Sequence, residues 1–306
     1  MKKQKITLLL LCIFSLFVTH LKAESIPDDI LKMVKDIELP GGKIDSLLVD
    51  MHMRLPDTVA HLFCRLRYKA PETFSLQIFD GHDSTPLLII IDQLALINDP
   101  FAEQLSVIAS AGVTFDFVPT DKQYNAVFAF NTPVDGQVNN KIRLDFKTMF
   151  SRLSENFEIN TGSGSKIIFS GMTKESSRCK GVFDTQATIP LHALSMFIEE
   201  SDVPVIEFSR IECEASEPEP AFPLQQLQQL RLVTKPIKPE GFIDSIFAMN
   251  ALLKAVFTRA AIYRPEIREK VSEMFSLKDF DWQSLAGRDA RRSEMLRELF
   301  PRGATQ

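Results

Sequence analysis

The feature that most constrains the fold of this chain is a two-residue alternation of apolar and polar side chains, which recurs from residue 46 to residue 213. In the segment IDSLLVDMHMRL, apolar residues occupy every second position from Leu47 to Leu55. Successive side chains of a β-strand point to opposite faces, so this spacing predicts a strand with one apolar face. The repetition predicts roughly ten or eleven short strands in a large antiparallel sheet.

The two segments on either side of Pro71 show the alternation most clearly. Their apolar side chains share one face and end at the turn sequence Asp80-Gly81: Leu62, Cys64, Leu66 and Tyr68, then Phe74, Leu76 and Ile78. The opposite face of the first segment carries His61, Phe63, Arg65 and Arg67. Further along the chain, Phe115 and Phe128 belong to two more segments that alternate in the same way and are predicted as strands.

Helical spacing appears at the two ends of this region and once within it. An amphipathic helix is predicted over 27–39, and a short helix over 146–153 precedes a predicted hairpin around residues 161–164. After an acidic, proline-rich segment at 214–223, residues 242–263 are apolar around most of a helix, which predicts a buried helix. Two further helices are predicted over 265–275 and 279–300. The arginines of the last one are expected on a solvated face of mixed charge: Arg288, Arg291, Arg292 and Arg297.

The first residues predict export from the cytoplasm. Three lysines within residues 1–5 precede an uncharged apolar run at 6–18, and Ala23 is a suitable small residue for cleavage. This order is typical of a secretory signal peptide, so we expect a periplasmic protein cleaved near Ala23. An uncleaved anchor is the alternative, although the apolar run is short for a membrane span.

Three cysteines follow the predicted cleavage point. An odd number leaves at least one thiol unpaired within the chain. The position of Cys64 on an apolar strand face indicates a small buried side chain. Cys179 and Cys213 could form a disulfide in an oxidising compartment, although spacing alone does not decide whether they meet.

Composition and motifs argue against several classes of function. The net charge is −5 and no basic stripe is present, so no nucleic-acid partner is expected. No zinc-protease, nucleophile-elbow or phosphate-loop motif occurs, so we expect no enzyme, no catalytic residues, no cofactor and no metal. His52 and His61 could lie on neighbouring strands and bind a metal, but isolated strand histidines are usually structural or surface groups.

The order of these elements resembles the periplasmic outer-membrane lipoprotein carriers (the LolA-like superfamily). The resemblance is carried by CRLRYKAPETFSLQIFD at 64–80, PLLIII at 86–91, LALINDPF at 94–101 and FKTMFSRLSENFEINTGSGSKIIFSG at 146–171. It covers the chain from about Ile30 to Cys213 and contains no single diagnostic motif. It implies an α+β fold: a curved antiparallel sheet that forms an unclosed β-barrel with helices across its mouth.

The resemblance also implies a function, namely a carrier or binder of lipid or of lipoprotein acyl chains in an apolar concave site. The residues expected to line it are Leu62, Leu66, Tyr68, Phe74, Leu76, Ile78, Phe115 and Phe128. In the family an arginine on an early strand holds the covering helix closed, a role that would fall to Arg65 or Arg67. A surface strand arginine is the alternative. The 24 phenylalanines and ten methionines suit a deformable apolar wall, but they would equally fill an ordinary core.

The chain departs from the family after its last strands. The expected organisation is a signal peptide over 1–23, a LolA-like sheet domain over 24–214, a proline-rich linker over 215–240 and a C-terminal helical region over 241–306. The apolar helix at 242–263 could lie in the groove as an intramolecular plug. It could also pack outside the sheet or hold an envelope protein partner, in which case the protein is a non-catalytic interaction or sensor protein of the cell envelope.

Overall fold

The computed structural model describes residues 46–54, 61–69, 73–92, 94–105, 107–109, 115–119, 125–131, 139–145, 153–161, 165–173, 178–184, 191–198, 201–213, 220–233, 245–277 and 281–302. The signal peptide and the helix predicted over 27–39 lie outside these residues. So does the helix predicted over 146–153, except for Leu153, which begins a strand.

The described part of the chain contains a strand-rich region followed by helices. The strands are β1 (Ser46–Arg54), β2 (His61–Lys69), β3 (Thr73–Asp80), β4 (Pro86–Ile91), β5 (Leu94–Ile97), β6 (Val107–Ala109), β7 (Phe115–Pro119), β8 (Asn125–Asn131), β9 (Asn139–Asp145), β10 (Leu153–Thr161), β11 (Lys166–Thr173), β12 (Arg178–Asp184), β13 (Leu191–Phe197) and β14 (Ile206–Cys213). The helices are α1 (Leu224–Gln229), α2 (Ser245–Tyr263), a 3₁₀ turn (Pro265–Ile267), α3 (Arg268–Phe275) and α4 (Trp282–Leu299).

Eleven of the described strands form one sheet in the order β10-β11-β12-β13-β14-β1-β2-β3-β4-β5-β6. Each neighbouring pair is antiparallel, and β10 and β6 each pair with a single described neighbour, so the sheet is not closed. An unclosed antiparallel sheet accompanied by helices confirms the predicted α+β class. The hairpin predicted around residues 161–164 is confirmed by the pairing of β10 with β11.

The prediction of one sheet is wrong, because β7, β8 and β9 form a separate three-stranded sheet. Phe115 and Phe128 belong to this second sheet, where their backbone partners are Phe130 and Phe117. Strands β9 and β13 were not predicted. The sequence of β13, LHALSMF, places a histidine between its apolar residues and lacks the sustained alternation of its neighbours.

The register of the large sheet gives it one continuous apolar face. A row of residues paired from β11 to β4 runs across the strands and contains no charged side chain: Phe169, Gly181, Leu194, Phe208, Met51, Cys64, Ile78 and Leu88. We call the side of the sheet that carries this row the apolar face. Because alternate residues point the same way, rows on either side of it are also mainly apolar, with Asp80 as the charged member of the row that passes through Leu62.

The opposite face of the sheet is polar in its centre and apolar towards β6. One row across it reads Arg210, Asp50, Arg65, Gln77, Ile89 and Leu96. The apolar end of this face packs against α1 and the C-terminal part of α4, through residues that include Leu227, Leu296 and Phe300. Helix α1 lies within the predicted linker over 215–240, and its Leu227 is fully buried. This segment is therefore part of the packed structure up to Val233, which bridges Leu105.

Helices α2 and α3 cover part of the apolar face. Val256, Phe257 and Ala261 of α2, together with Val271 of α3, pack against sheet residues Met53, Leu62, Cys64, Ile78 and Leu87. The buried helix predicted over 242–263 is thus confirmed as α2, and its apolar side chains complete a core with the sheet. None of the helices in the described part of the chain is both long and apolar enough to cross a bilayer.

Candidate functional site

The candidate site is a row of half-buried aliphatic side chains on the apolar face, beside the area that α2 and α3 cover. Ile211, Val49, Leu66, Leu76 and Ile90 are paired in this order across β14, β1, β2, β3 and β4. We call these five residues the aliphatic strip. Five strands about 4.8 Å apart make it about 19 Å long. All five are partly buried and none carries a polar group.

On each side of the aliphatic strip lies a row that contains fully buried residues. On one side are the sheet residues beneath α2 and α3, including Cys64 and Ile78. On the other side are Leu47 and Tyr68, which are 4% and 5% exposed and paired with each other across β1 and β2. On β2, Leu66 of the strip is therefore less buried than Cys64 and Tyr68, its neighbours on the same face.

The predicted ligand-binding residues separate into four groups. Leu66 and Leu76 belong to the aliphatic strip, whereas Leu62 and Ile78 lie beneath α2 and α3. Tyr68 is buried in the adjoining row, and Phe74 is its backbone partner on β3. Phe115 and Phe128 are in the other sheet. The sequence pattern thus identified the face correctly on β2 and β3, but it could not assign strands to sheets.

The two predicted lid-holding arginines lie on the face opposite to α2. Arg65 is 1% exposed, and it donates from Nε and Nη2 to both carboxylate oxygens of Asp50 at 2.6 Å. Its Nη1 donates to the backbone carbonyl of Arg302 at 2.7 Å, so it contacts the chain just after α4. Arg67 is half-buried on the same face. The interpretation of Arg65 as a surface arginine is therefore wrong, since its charge is paired inside the protein.

Helix α2 is fixed to the sheet by Arg259, a residue that sequence reasoning did not single out. The guanidinium is 1% exposed and donates to Asp80 at 3.0 Å, to Asp289 at 2.5 Å and to Asp83. It also donates to the hydroxyls of Thr85 and Ser293. We call Arg259 with these five partners the arginine clamp. It joins α2 to the turn between β3 and β4 and to α4.

The carboxylates of the arginine clamp keep the Arg259 guanidinium ionised. Burial lowers the pKa of Arg259, but the carboxylates of Asp289, Asp83 and Asp80 raise it by more, so its pKa is raised on balance. Burial, followed by the charge of Asp289, raises the pKa of Tyr263 to about 12, and the Tyr263 hydroxyl donates to Asp289 at 3.0 Å.

The sequence contained a signal for the buried role of Arg259, because α2 is an apolar helix with only two charged residues, Lys254 and Arg259.

The solvated face predicted for the last helix is wrong for part of its charge. Asp289 and Ser293 on α4 are buried in the arginine clamp. Arg292 is also buried, and it donates to the backbone carbonyls of Asp99 and Ala102 at 2.7 Å each. Arg288 and Arg291 are exposed as predicted. The mixed-charge sequence of α4 therefore did not reveal that one side of the helix is polar, buried and bonded to the rest of the protein.

Three histidines are grouped near the start of β2. Nδ1 of His52 lies 3.0 Å from Nε2 of His61, and the His61 ring packs edge-on to His82 at 5.8 Å between centroids. Burial, followed by the charge of Arg54, lowers the pKa of His61 to about 4, and burial also lowers that of His52. Within the described ranges, no three His, Cys, Asp or Glu side chains are arranged to hold a metal.

The three cysteines after residue 23 are free thiols. Cys179 is in the row that passes through Met196 to Ile206, whereas Cys213 is paired with Leu47 at the far end of β14. Seven residues of strand, about 23 Å, separate Cys213 from the row of Cys179, well beyond the reach of a disulfide. The structure thus decides against the pairing that the sequence left open. Burial raises the pKa of Cys64 to about 12.

Comparison with known proteins assigns the chain to no family. No protein-family model matches the chain, and no curated protein matches it.

Proposed function

We propose that this protein is a non-catalytic binder or carrier of lipid or of lipoprotein acyl chains in the periplasm. The hydrocarbon would lie along the aliphatic strip and its neighbours on the apolar face of a sheet curved like the unclosed barrel that the resemblance implies. The single observation that supports this most directly is the uninterrupted apolar row across β11 to β4, of which α2 and α3 cover only part.

The chemistry of the strip suits a hydrocarbon ligand better than a polar one. Burying a methylene group is worth about 0.8 kcal/mol and needs no directional partner. Val49, Leu66 and Leu76 offer contact area without hydrogen-bonding groups. A polar ligand would lose its hydration there without compensation, at a cost of about 1–3 kcal/mol for each buried polar group. The strip, about 19 Å long and one row wide, matches a single extended chain rather than a bulky ring system.

Helices α2 and α3 would act as the wall of the site in this proposal. They bury Leu62 and Ile78 and leave Leu66 and Leu76 at the border of the covered area. The arginine clamp fixes this wall, because its carboxylates belong to the sheet turn and to α4.

Binding of a fluorescent fatty acid to the full chain tests the proposal. We expect saturable binding that Leu66→Asn weakens about tenfold or more, since the amide puts an unpaired polar group into the strip. Leu230→Asn is the matched control, because Leu230 is 47% exposed after α1 and outside the apolar face. Far-UV circular dichroism checks that both variants are folded. Absence of binding in the wild type, or equal affinity in the two variants, would refute the proposal.

A second function has an observation in its favour. The close packing of Phe257 and Ala261 on the sheet is also what a sealed core would show, and a sealed core favours an interaction or sensor protein of the envelope with α2–α4 as its docking element. Native mass spectrometry of protein purified from its own cell envelope separates the two. Bound lipid in the spectrum supports the carrier, and a lipid-free protein that co-purifies with one stoichiometric partner supports the interaction protein.

A further inference from the structure

The histidine group lies on the opposite face of the sheet and plays no part in the proposed lipid site. His52 is on β1, His61 begins β2 and His82 is in the turn after β3, so three neighbouring strands bring them together. The ring centroids of His52 and His61 are 5.2 Å apart. Both are partly buried, whereas His82 is exposed. The cluster is therefore at the protein surface with two of its rings held in place.

The separation of the ring nitrogens is the one that a shared metal ion requires. Two imidazole nitrogens that each bind Zn²⁺ at about 2.0–2.1 Å, with an angle of about 90–110° at the metal, lie about 2.8–3.4 Å apart. Nδ1 of His52 and Nε2 of His61 are 3.0 Å apart. A hydrogen bond between the rings gives a similar distance, so an ion can replace the shared proton with little movement of either strand.

The position of His61 is fixed by the turn beside it. A methyl group in place of the Gly81 hydrogen would lie within 2.4 Å of the His61 ring, so the imidazole packs directly on a glycine. The backbone amide of Gly81 donates to the carbonyl of His61 at 2.6 Å, which ties the turn to the start of β2. The His61 ring is thus held in one orientation by the turn. A side chain that is oriented before the metal binds loses less conformational entropy on coordination.

The protonation state and the nearby charges decide which ion fits. Metals bind the neutral imidazole through a ring nitrogen that carries no proton. Arg54 and Arg302 oppose a cation here. Glu207 favours one, since it is the cross-strand partner of His52, and its carboxylate is 3.5 Å from the Arg54 guanidinium. Imidazole ligands select zinc, copper or nickel rather than calcium or magnesium.

We propose that His52 Nδ1 and His61 Nε2 bind a divalent transition-metal ion of the zinc or nickel class, with the exposed His82 as the third ligand. No three such side chains in the described residues are already arranged as ligands, so His82 must rotate towards the pair. Its ring is 5.8 Å from that of His61, within reach of such a rotation. Water completes the coordination.

Isothermal titration of the untagged full chain with ZnCl₂ tests this site. We expect one zinc per chain and a loss of about tenfold or more in affinity for His52→Ala and His61→Ala, because each removes one of two preplaced ligands. His192→Ala is the matched control, since His192 is exposed on β13, two strands away from β1 in the sheet. The His192→Ala variant should bind zinc with the affinity of the wild type.

Two further measurements keep the outcome decisive. The absorption of bound Co²⁺ should show nitrogen ligands in the wild type and change in His82→Ala, whereas an unchanged spectrum would remove His82 from the site. His61→Gln preserves a polar side chain if His61→Ala does not fold, and it should also lose zinc. The site is disproved if the wild type binds no zinc, or if the His52 and His61 variants bind it as well as the His192 variant does.

Discussion

Replacement of Arg259 by methionine should separate the helical region from the sheet or unfold the protein. The guanidinium is 1% exposed, and Asp289, which it neutralises, is fully buried. Removal of one partner of a buried ion pair leaves an uncompensated charge, which costs about 3–5 kcal/mol. Met has a similar length and helix propensity to Arg, so the effect reports the lost charge rather than the helix. A loss of this size is a large share of the free energy of unfolding of a typical protein, which is about 5–15 kcal/mol.

Urea unfolding of the full chain, followed by far-UV circular dichroism, measures this loss. Arg291→Met is the control, because Arg291 is exposed on α4 and should change the free energy of unfolding by less than about 0.5 kcal/mol. Adding Asp289→Asn to Arg259→Met removes the stranded carboxylate and should restore about 1–3 kcal/mol. Amide hydrogen exchange should show the largest loss of protection in α2 and α4.

A cost of less than about 1 kcal/mol for Arg259→Met would contradict the expected loss of a buried ion pair. Failure of the double variant to regain stability would also count against it, since the cost would then come from lost packing rather than from the charge of Asp289.

Four shorter predictions concern other parts of the chain. Gly181→Ala should lower the free energy of unfolding in urea by about 1–3 kcal/mol, because the added methyl group would lie 2.2 Å from the ring of Phe169. Gly287→Ala on α4 meets nothing within 4 Å and should gain about 0.5–1 kcal/mol. The free energy of unfolding should fall between pH 6.5 and about 4, where unfolded histidine binds a proton that His61 does not, and His61→Gln should flatten this slope. Native alkylation followed by mass spectrometry should modify Cys213 before Cys64, whose burial raises its pKa to about 12, and equal rates would contradict this.

Local pattern was enough to predict most of the elements described. The alternation in β1, β2 and β3 gave both the strands and the side chains that share a face, because the period of two follows from strand geometry alone. The apolar circumference of residues 242–263 predicted the burial of α2 for the same local reason. These features depend on neighbours in sequence, which a single chain contains.

Pairing between distant segments could not be obtained in this way. Nothing local in Asp50 or Arg65 shows that one neutralises the other, and the contact between Arg259 and Asp80 joins residues far apart in the chain. The division into two sheets has the same origin, since alternation specifies which way a side chain points but not which strand lies next to it. The aliphatic strip was partly predictable through Leu66 and Leu76, whereas Val49 and Ile211 joined it only through strand order.

The pairing of β1 with β14 has a consequence for how the molecule is assembled. Leu47 is opposite Cys213, so the middle of the large sheet joins the first described strand to the last one. Two runs of consecutive strands, β1–β6 and β10–β14, can each form from neighbours along the chain. The pairing of β1 with β14, which joins the two runs, can be completed only after residue 213 has been synthesised. Such a long-range closure slows folding, because the intervening chain must be ordered before the contact is made. A nascent chain that stops before residue 206 would carry β1 as an unsealed edge, open to pairing with another molecule.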